Sequence, residues 1–410
     1  MKLEPENVKG TQDFLIPESL KRDKIKRIIE KYYKIYGFSP IETPIIEYDE
    51  LMAPDNLPNE QQDEAVSDRF RLKDRGNRSL GLRYEFTFQL SRILKQNPNI
   101  KLPFRRYQIG EVFRDEPTRS NRFREFTQCD IDIIGDPSVN ADLDCLSCVY
   151  EILKELKIRP EIQINNRQLL KSIIESVQIS QVGNIMRELD KLDKIGEDLV
   201  KLNLKKYADT NQVVTLFKLL EKPLSFFVEN AFDGAKELQE LIDKSAKYSM
   251  RLEFNPFMIR GFGYYTGNIF EVREQEKDSI AGGGRYDKSV GKYLGKDIPA
   301  VGISFGLERL SKLANIEANT LPTTLIISID EESASLKLTK KLRNQNISCI
   351  KTDEKVGKAL EYANSYNIPY VIFLGKDEIS QEKFKLRNMK TGEEKLLTEK
   401  QLVKLLEKID

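Results

Sequence analysis

Apolar residues recur at helical spacing from about Ser19 to Tyr36, at Ile25, Ile28, Ile29, Tyr32, Tyr33 and Tyr36, and predict a helix closed by Gly37. The segment from Phe38 to Glu47 carries Pro40 and Pro44 and reads as extended chain at a sheet edge or an interface. Leu80 to Tyr84 reads as a strand running into a helix that starts near Thr87. Phe104–Arg114 and Arg122–Ile134 predict two strands joined by the polar turn Pro117–Asn121, an antiparallel hairpin. From about 170 to 245 the period is helical, in runs such as Val213–Leu220 and Gly234–Ile242, which predicts a helical insertion. Strand patterns return at Ile269–Val272 and Val301–Phe305, and Ile316–Pro322 reads as a linker. Beyond it, strand Thr324–Ile329, helix Ser333–Asn344, strand Ile347–Ile350, helix Val356–Ser365 and strand Tyr370–Leu374 alternate. That order predicts a small α/β domain with a largely parallel sheet, completed by a hairpin through Thr391-Gly392 and a final helix. The chain is thus expected to divide into residues 1–320 and 321–410.

Composition narrows the chemistry. With 40% apolar and 32% charged residues the chain is an ordinary globular protein, and its net charge of +1 neither favours nor excludes a nucleic-acid partner. The apolar runs are too short to span a bilayer, and Met1-Lys2-Leu3-Glu4-Pro5 lacks a signal-peptide core, so a cytoplasmic protein with no membrane partner is expected. Cys145 and Cys148 form a CxxC, but they lie among Leu143, Leu146, Tyr150 and Leu153 of a helical pattern without a second ligand pair, and read as core. Most informative is the count of histidines, which is 0. Every mechanism that needs a protein imidazole as base, ligand or nucleophile is excluded. Acids, bases and charge stabilisers must be carboxylates, Lys, Arg or Tyr.

The predicted hairpin carries the strongest signal. Alternation puts Arg122, Arg124, Phe126, Gln128, Asp130 and Asp132 on one face of its second strand, and Phe123, Cys129, Ile131 and Ile133 on the other. Arg114 and Glu116 end the opposing strand nearby. Cations at one end and acids further along suit a ligand with anionic and cationic ends, such as ATP with an amino acid. Arginine forks satisfy phosphate oxygens in pairs, and an aromatic ring stacks on a base.

At these residues the chain resembles a known family. Phe113-Arg114-Asp115-Glu116 followed by Arg122-Phe123-Arg124-Glu125-Phe126 and Gln128-Cys129-Asp130-Ile131-Asp132 is similar to motif 2 of class II aminoacyl-tRNA synthetases in its histidyl form. Gly37-Phe38, Ile41, Thr43-Pro44 and Glu47 resemble motif 1, and Gly302 to Leu310 resembles motif 3. Arg260-Gly261-Phe262-Gly263-Tyr264-Tyr265-Thr266-Gly267 and Ala281-Gly282-Gly283-Gly284-Arg285-Tyr286-Asp287 resemble the two histidine-specific motifs. Asp132 stands where bacterial forms carry the longer Glu, as in archaeal and eukaryotic relatives.

The resemblance to histidyl-tRNA synthetases implies an α+β fold: a class II antiparallel-sheet catalytic domain with the helical insertion, and a C-terminal α/β anticodon-binding domain. It implies ATP and Mg2+ as cofactors, L-histidine and tRNA(His) as partners, and a homodimer with the motif 1 proline at its interface. Carried over by position, Arg114 grips the α-phosphate, with Glu116 at the adenine edge, Phe126 on one face of the adenine, and Arg122 and Arg309 completing the ATP site. Glu85, Thr87 and Gln128 hold the substrate's amino group, although Glu85 also stands where it would cap the following helix. Asp132 and Tyr265 address the two imidazole nitrogens, while Tyr264 and the glycines around Gly283 wall the pocket. Arg260 supplies a fixed cation beside the α-phosphate and carboxylate, and with Arg114 forms the catalytic pair. A non-catalytic paralogue, the regulatory subunit of ATP phosphoribosyltransferase, is the alternative with the same catalytic fold.

Overall fold

The computed structural model describes residues 5–52, 68–118, 122–260, 265–274, 279–318 and 321–407. The chain forms two compact units, Met1–Asp13 with Ile25–Ile316, and Phe14–Lys24 with Glu317–Asp410.

Helix α1 spans Glu18–Ile35. It ends in a Schellman turn: Gly37, at φ +76°, donates its N–H to Lys34 at 3.0 Å, and Phe38 donates to Tyr33 at 2.9 Å. The larger unit is built on an eight-stranded sheet with neighbours in the order β1 (Ser39–Pro40), β5 (Phe104–Phe113), β6 (Glu125–Ile134), β11 (Ala300–Gly306), β10 (Ala281–Arg285), β9 (Asn268–Arg273), β7 (Glu161–Asn166) and β8 (Leu252–Phe254). The central pairs are antiparallel, and only the outer pairs β1–β5 and β7–β8 are parallel. One sheet face is apolar. Ile25, Ile29 and Tyr33 of α1, and Leu146, Val149 and Leu153 of helix α3 (Val139–Glu155), share a core with Ile131, Ile133, Val301, Ile303 and Phe305. Cys145 and Cys148 are wholly buried in that same core. The other face is polar, and the site lies there.

A three-stranded sheet, β2 (Ile46–Tyr48), β4 (Ser79–Leu82) and β3 (Arg71–Lys73), precedes helix α2 (Phe88–Gln96). The helical insertion runs from Arg167–Ser176 to Ala235–Lys247, bracketed by β7 and β8. Those bracketing strands are too short to stand out in the apolar pattern. The run Gly282-Gly283-Gly284 is the middle of β10 and not a turn, because glycine lets adjoining strands and side chains come close.

In the smaller unit the order is β13 (Cys349–Thr352), β12 (Thr324–Ser328), β14 (Tyr370–Leu374), β15 (Lys383–Asn388) and β16 (Glu394–Thr398). The first three are parallel and the last two add antiparallel through Gly392, at φ +74°. Helices pack on both faces: Leu338, Leu342 and Leu402 against Ile326 and Ile372, and Ala359 and Ala363 against Leu325, Ile327 and Val371. No described helix is long and apolar enough to cross a membrane.

Candidate active site

Strand register sets the polar face in transverse rows. Arg106, Asp132, Gly302 and Gly284 lie in one row across β5, β6, β11 and β10, and Gln108, Asp130, Ser304, Gly282 and Glu271 in the next, which reaches β9. Gly110, Gln128 and Gly306 form a third, and Val112 with Phe126 a fourth. Alternation therefore delivers Phe126, Gln128, Asp130 and Asp132 to one side, as the pattern of that strand predicts. Glycines keep this floor low: a Cβ on Gly302 would stand 2.0 Å from Oδ1 of Asp132, and one on Gly282 2.5 Å from Cζ of Arg260. Gly283 pairs between Ile303 and Phe270 and alternates to the apolar side, where a Cβ would stand 2.0 Å from the carbonyl oxygen of Gly302.

Arginines gather at the end of the face where β5 and β11 finish. The Arg114 guanidinium lies 4.3 Å from the Tyr84 ring centre and 4.9 Å from that of Phe126, a cation–π arrangement. Its Nη1 is 3.8 Å from Glu116, whose other carboxylate oxygen accepts from Arg122 at 2.9 Å. Helix α4 (Leu307–Leu313) starts directly after β11 and carries Arg309. Glu308 anchors that start to β6, its two oxygens accepting from the Thr127 N–H at 3.1 and 3.2 Å. Arg309 donates to the carbonyl oxygen of Ser279, and Arg260 donates to the Ser279 hydroxyl at 2.8 Å and to Glu271 at 2.5 Å. Arg260 and Arg309 thus meet at one residue, beside the same sheet end as Arg114.

Acids gather at the other end. Asp132 is buried; its Oδ1 accepts from the Tyr286 hydroxyl and its Oδ2 lies 2.6 Å from Arg106. Burial pushes its carboxyl up, while Arg106 and the Tyr286 hydroxyl pull it back. Asp130 accepts from the Ser304 hydroxyl and from Gln128 Nε2 at 3.2 Å, both neutral partners. Desolvation dominates there and raises the carboxyl to about 7, against the opposing field of Arg106. Glu85 is likewise raised by burial; its Oε1 accepts from Phe88 N at 2.6 Å, so it does cap α2. Thr87, the N-cap residue of α2, is buried beside it. Burial pushes Tyr265 up to about 12, with Arg260 opposing the rise and Glu85, Asp130 and Asp132 adding to it. Tyr264 lies outside the described residues.

Arg106, Tyr286, Ser304, Ser279 and Glu271 belong to this face without standing out in the sequence. Arg285, within the glycine-rich motif, turns away from it. Its Nε donates to Asp142 at 2.9 Å, and Asn268 donates to the same carboxylate at 3.1 Å, a buried tie between β10, β9 and α3. Among the described residues no group of three or more acids or cysteines is placed to hold a metal ion.

Comparison with known proteins places the chain among relatives. Residues 10–310 match the family model for histidyl-tRNA synthetase, and residues 323–409 match that for an anticodon binding domain. Histidine–tRNA ligase 1 of Bacillus cereus is 38% identical over 417 residues, covering 96% of this chain and 95% of that protein. The structure of histidyl-tRNA synthetase from Nostoc superposes with a TM-score of 0.87 at 26% identity, covering 99% of this chain and all of the other. An ATP phosphoribosyltransferase regulatory subunit/histidyl-tRNA synthetase from Bacillus halodurans superposes at 0.76 with 19% identity, a likeness of fold alone.

Proposed function

The chain belongs to the histidyl-tRNA synthetase family, and we infer from its polar sheet face how it carries out that family's reaction. Histidine and ATP give histidyl-adenylate and pyrophosphate, and the histidyl group then passes to the 3′ end of tRNA, whose anticodon the C-terminal domain engages. In the first step a carboxylate oxygen of histidine bonds to the α-phosphorus and the bond from that phosphorus to the β-phosphate oxygen breaks. Such a displacement needs alignment and charge neutralisation more than covalent help.

The arrangement that carries the reading is the meeting of Arg260 and Arg309 at Ser279, at the sheet end where Arg114 lies on its aromatic shelf. Arg114 and Arg260 take the α-phosphate and the substrate carboxylate. Phe126 and Arg309 sandwich the adenine, with Glu116 at its edge and Arg122 toward the outer phosphates. Glu85, Thr87 and Gln128 receive the ammonium group. Asp132 accepts from one ring nitrogen and Tyr265 meets the other, while Gly283 contributes only its backbone to the pocket floor. Glu116 and Glu271 pair with arginines, so Mg2+ would be held chiefly by the nucleotide's own phosphates and would there supply charge neutralisation.

We assign the chain to the cytoplasm, in keeping with four buried free thiols. A homodimer is favoured by the face of β2 and β3 that exposes Ile46, Tyr48 and Leu72 while Glu47 turns inward to Arg92 at 2.5 Å. ATP–pyrophosphate exchange measured with each of the twenty amino acids tests the whole reading. Exchange with histidine alone is expected; absence of exchange with histidine would return the chain to a regulatory role.

A further inference from the structure

Beneath the acid end of the polar face lies a guanidinium that the division of labour above leaves without a task. Arg106 has 0% of its surface exposed. It projects from β5 directly opposite Asp132 on β6, and its Nη2 lies 2.6 Å from Oδ2 of that residue. None of its three guanidinium nitrogens has a well-aligned hydrogen bond among the described residues, so the contact is one of charge more than of donor geometry. A buried cation with unspent donors is costly. Its retention points to work done on its neighbours.

Those neighbours are nearly all acids. On the polar face Asp132 has Asp130 from its own strand, Arg106 from β5, Tyr286 from just beyond β10 and Tyr265 from just before β9, and across the sheet, on the apolar side, lie Tyr33 of α1 and Cys145 of α3; Glu85, ahead of α2, acts on Asp130 and Arg106. Among these groups Arg106 is the cation. Two carboxyls two residues apart on one strand, both desolvated, cannot both stay ionised without it. Asp130 has neutral partners, so the pairing falls on Asp132.

We propose that Arg106 is the positioning residue of the histidine pocket: by pairing with Oδ2 of Asp132 while Tyr286 holds Oδ1, it keeps that side chain a carboxylate in fixed orientation, and therefore an acceptor for a ring N–H. This rests on the reading that Asp132 addresses the imidazole. Arg106 touches neither substrate. Burial weakens its own charge, but Asp132 and Asp130 more than restore it, so it stays protonated at working pH.

The sign of the pH effect follows. Arg106 lowers the Asp132 carboxyl from where burial would put it, so its removal raises that carboxyl and lets it protonate at higher pH. A protonated Asp132 no longer accepts. The chain has no histidine of its own, so imidazole titration in the assay comes from substrate alone and cancels in the ratio of variant to parent at each pH.

The experiment measures the KM for histidine in ATP–pyrophosphate exchange from about pH 6 to about pH 9, in an Asp130→Asn background that silences the neighbouring carboxyl. Arg106→Met is expected to raise KM about tenfold or more at the acid end and within about threefold at the alkaline end, with KM for ATP unmoved. Arg106→Lys, which keeps the charge, is expected to recover most of the loss. A rise in KM of equal size at every pH, or Lys failing as badly as Met, overturns the proposal. Should Arg106→Met not fold, Arg106→Met with Asp132→Asn removes both charges of the buried pair. Its KM is expected to match Asp132→Asn alone at every pH, and a further pH-dependent loss overturns the proposal. Asp132→Asn with an unchanged KM would instead sink the placement of the imidazole itself.

Discussion

Gly282→Ala is a small perturbation with a sharp expected effect. The added methyl would stand 2.5 Å from Cζ of Arg260 and 2.6 and 2.8 Å from its terminal nitrogens. Carbon atoms settle near about 3.5 Å, so the guanidinium must withdraw by about 1 Å. It is held to Glu271 at 2.5 Å and Ser279 at 2.8 Å, and a shift of that size breaks at least one of these contacts. A misplacement of about 1 Å at a reacting centre lowers rate about 10²-fold. That corresponds to about 2.7 kcal/mol of transition-state stabilisation. Stability should not suffer. Gly282 is not among the glycines with positive φ, the displaced group is the tip of a flexible side chain already 31% exposed, and alanine loses less entropy on folding, worth about 0.5 kcal/mol or more. Single-turnover formation of histidyl-adenylate and urea denaturation, measured side by side, check both halves. A rate within threefold of the parent, or a loss that tracks unfolding, refutes the reasoning.

Arg260→Ala should lower the rate of adenylate formation about 10²-fold or more while leaving ATP affinity within about threefold, since the side chain acts on charge that develops during transfer; rapid-quench kinetics with equilibrium ATP binding reads the two apart, and an unchanged rate defeats the assignment. Asp142→Ala should destabilise the larger unit by about 3–5 kcal/mol, because Arg285 is left buried without its partner. Urea unfolding followed by tyrosine fluorescence measures it, and a loss below about 1 kcal/mol refutes the view that Asp142, and not Glu237 at 3.8 Å, neutralises Arg285.

Much of this face is legible in the sequence because its chemistry sits on a strand of period two. Phe126, Gln128, Asp130 and Asp132 alternate with Cys129, Ile131 and Ile133, and the structure keeps that partition. Arg106 escaped notice for a physical reason. It follows Arg105, and two adjacent arginines read as a solvated pair, yet the pleat sends them to opposite faces. Arg105 reaches the partly exposed Asp144 at 2.9 Å, while Arg106 goes under the pocket. Only the register opposite Asp132 distinguishes them. The glycine run misleads in the opposite direction, since local propensity favours a turn while the demand for a low floor beside Arg260 and for close approach to β11 and β9 favours a strand. The same motif carries Arg285, whose partner Asp142 is distant in sequence and no pattern links the two.

The graded burial of charge along the polar face makes its two ends answer differently to salt. At the arginine end Arg122, Arg114 and Arg260 have side chains 48%, 28% and 31% exposed, within reach of dissolved ions whose screening length is about 8 Å in physiological salt. At the acid end Arg106 and Asp132 are 0% and 4% exposed, and mobile ions cannot come between them. On the assignment proposed above, ionic strength loosens the hold on the nucleotide and on the substrate carboxylate and leaves the grip on the imidazole almost untouched, so a cell whose salt content rises loses substrate affinity first and keeps its discrimination among side chains.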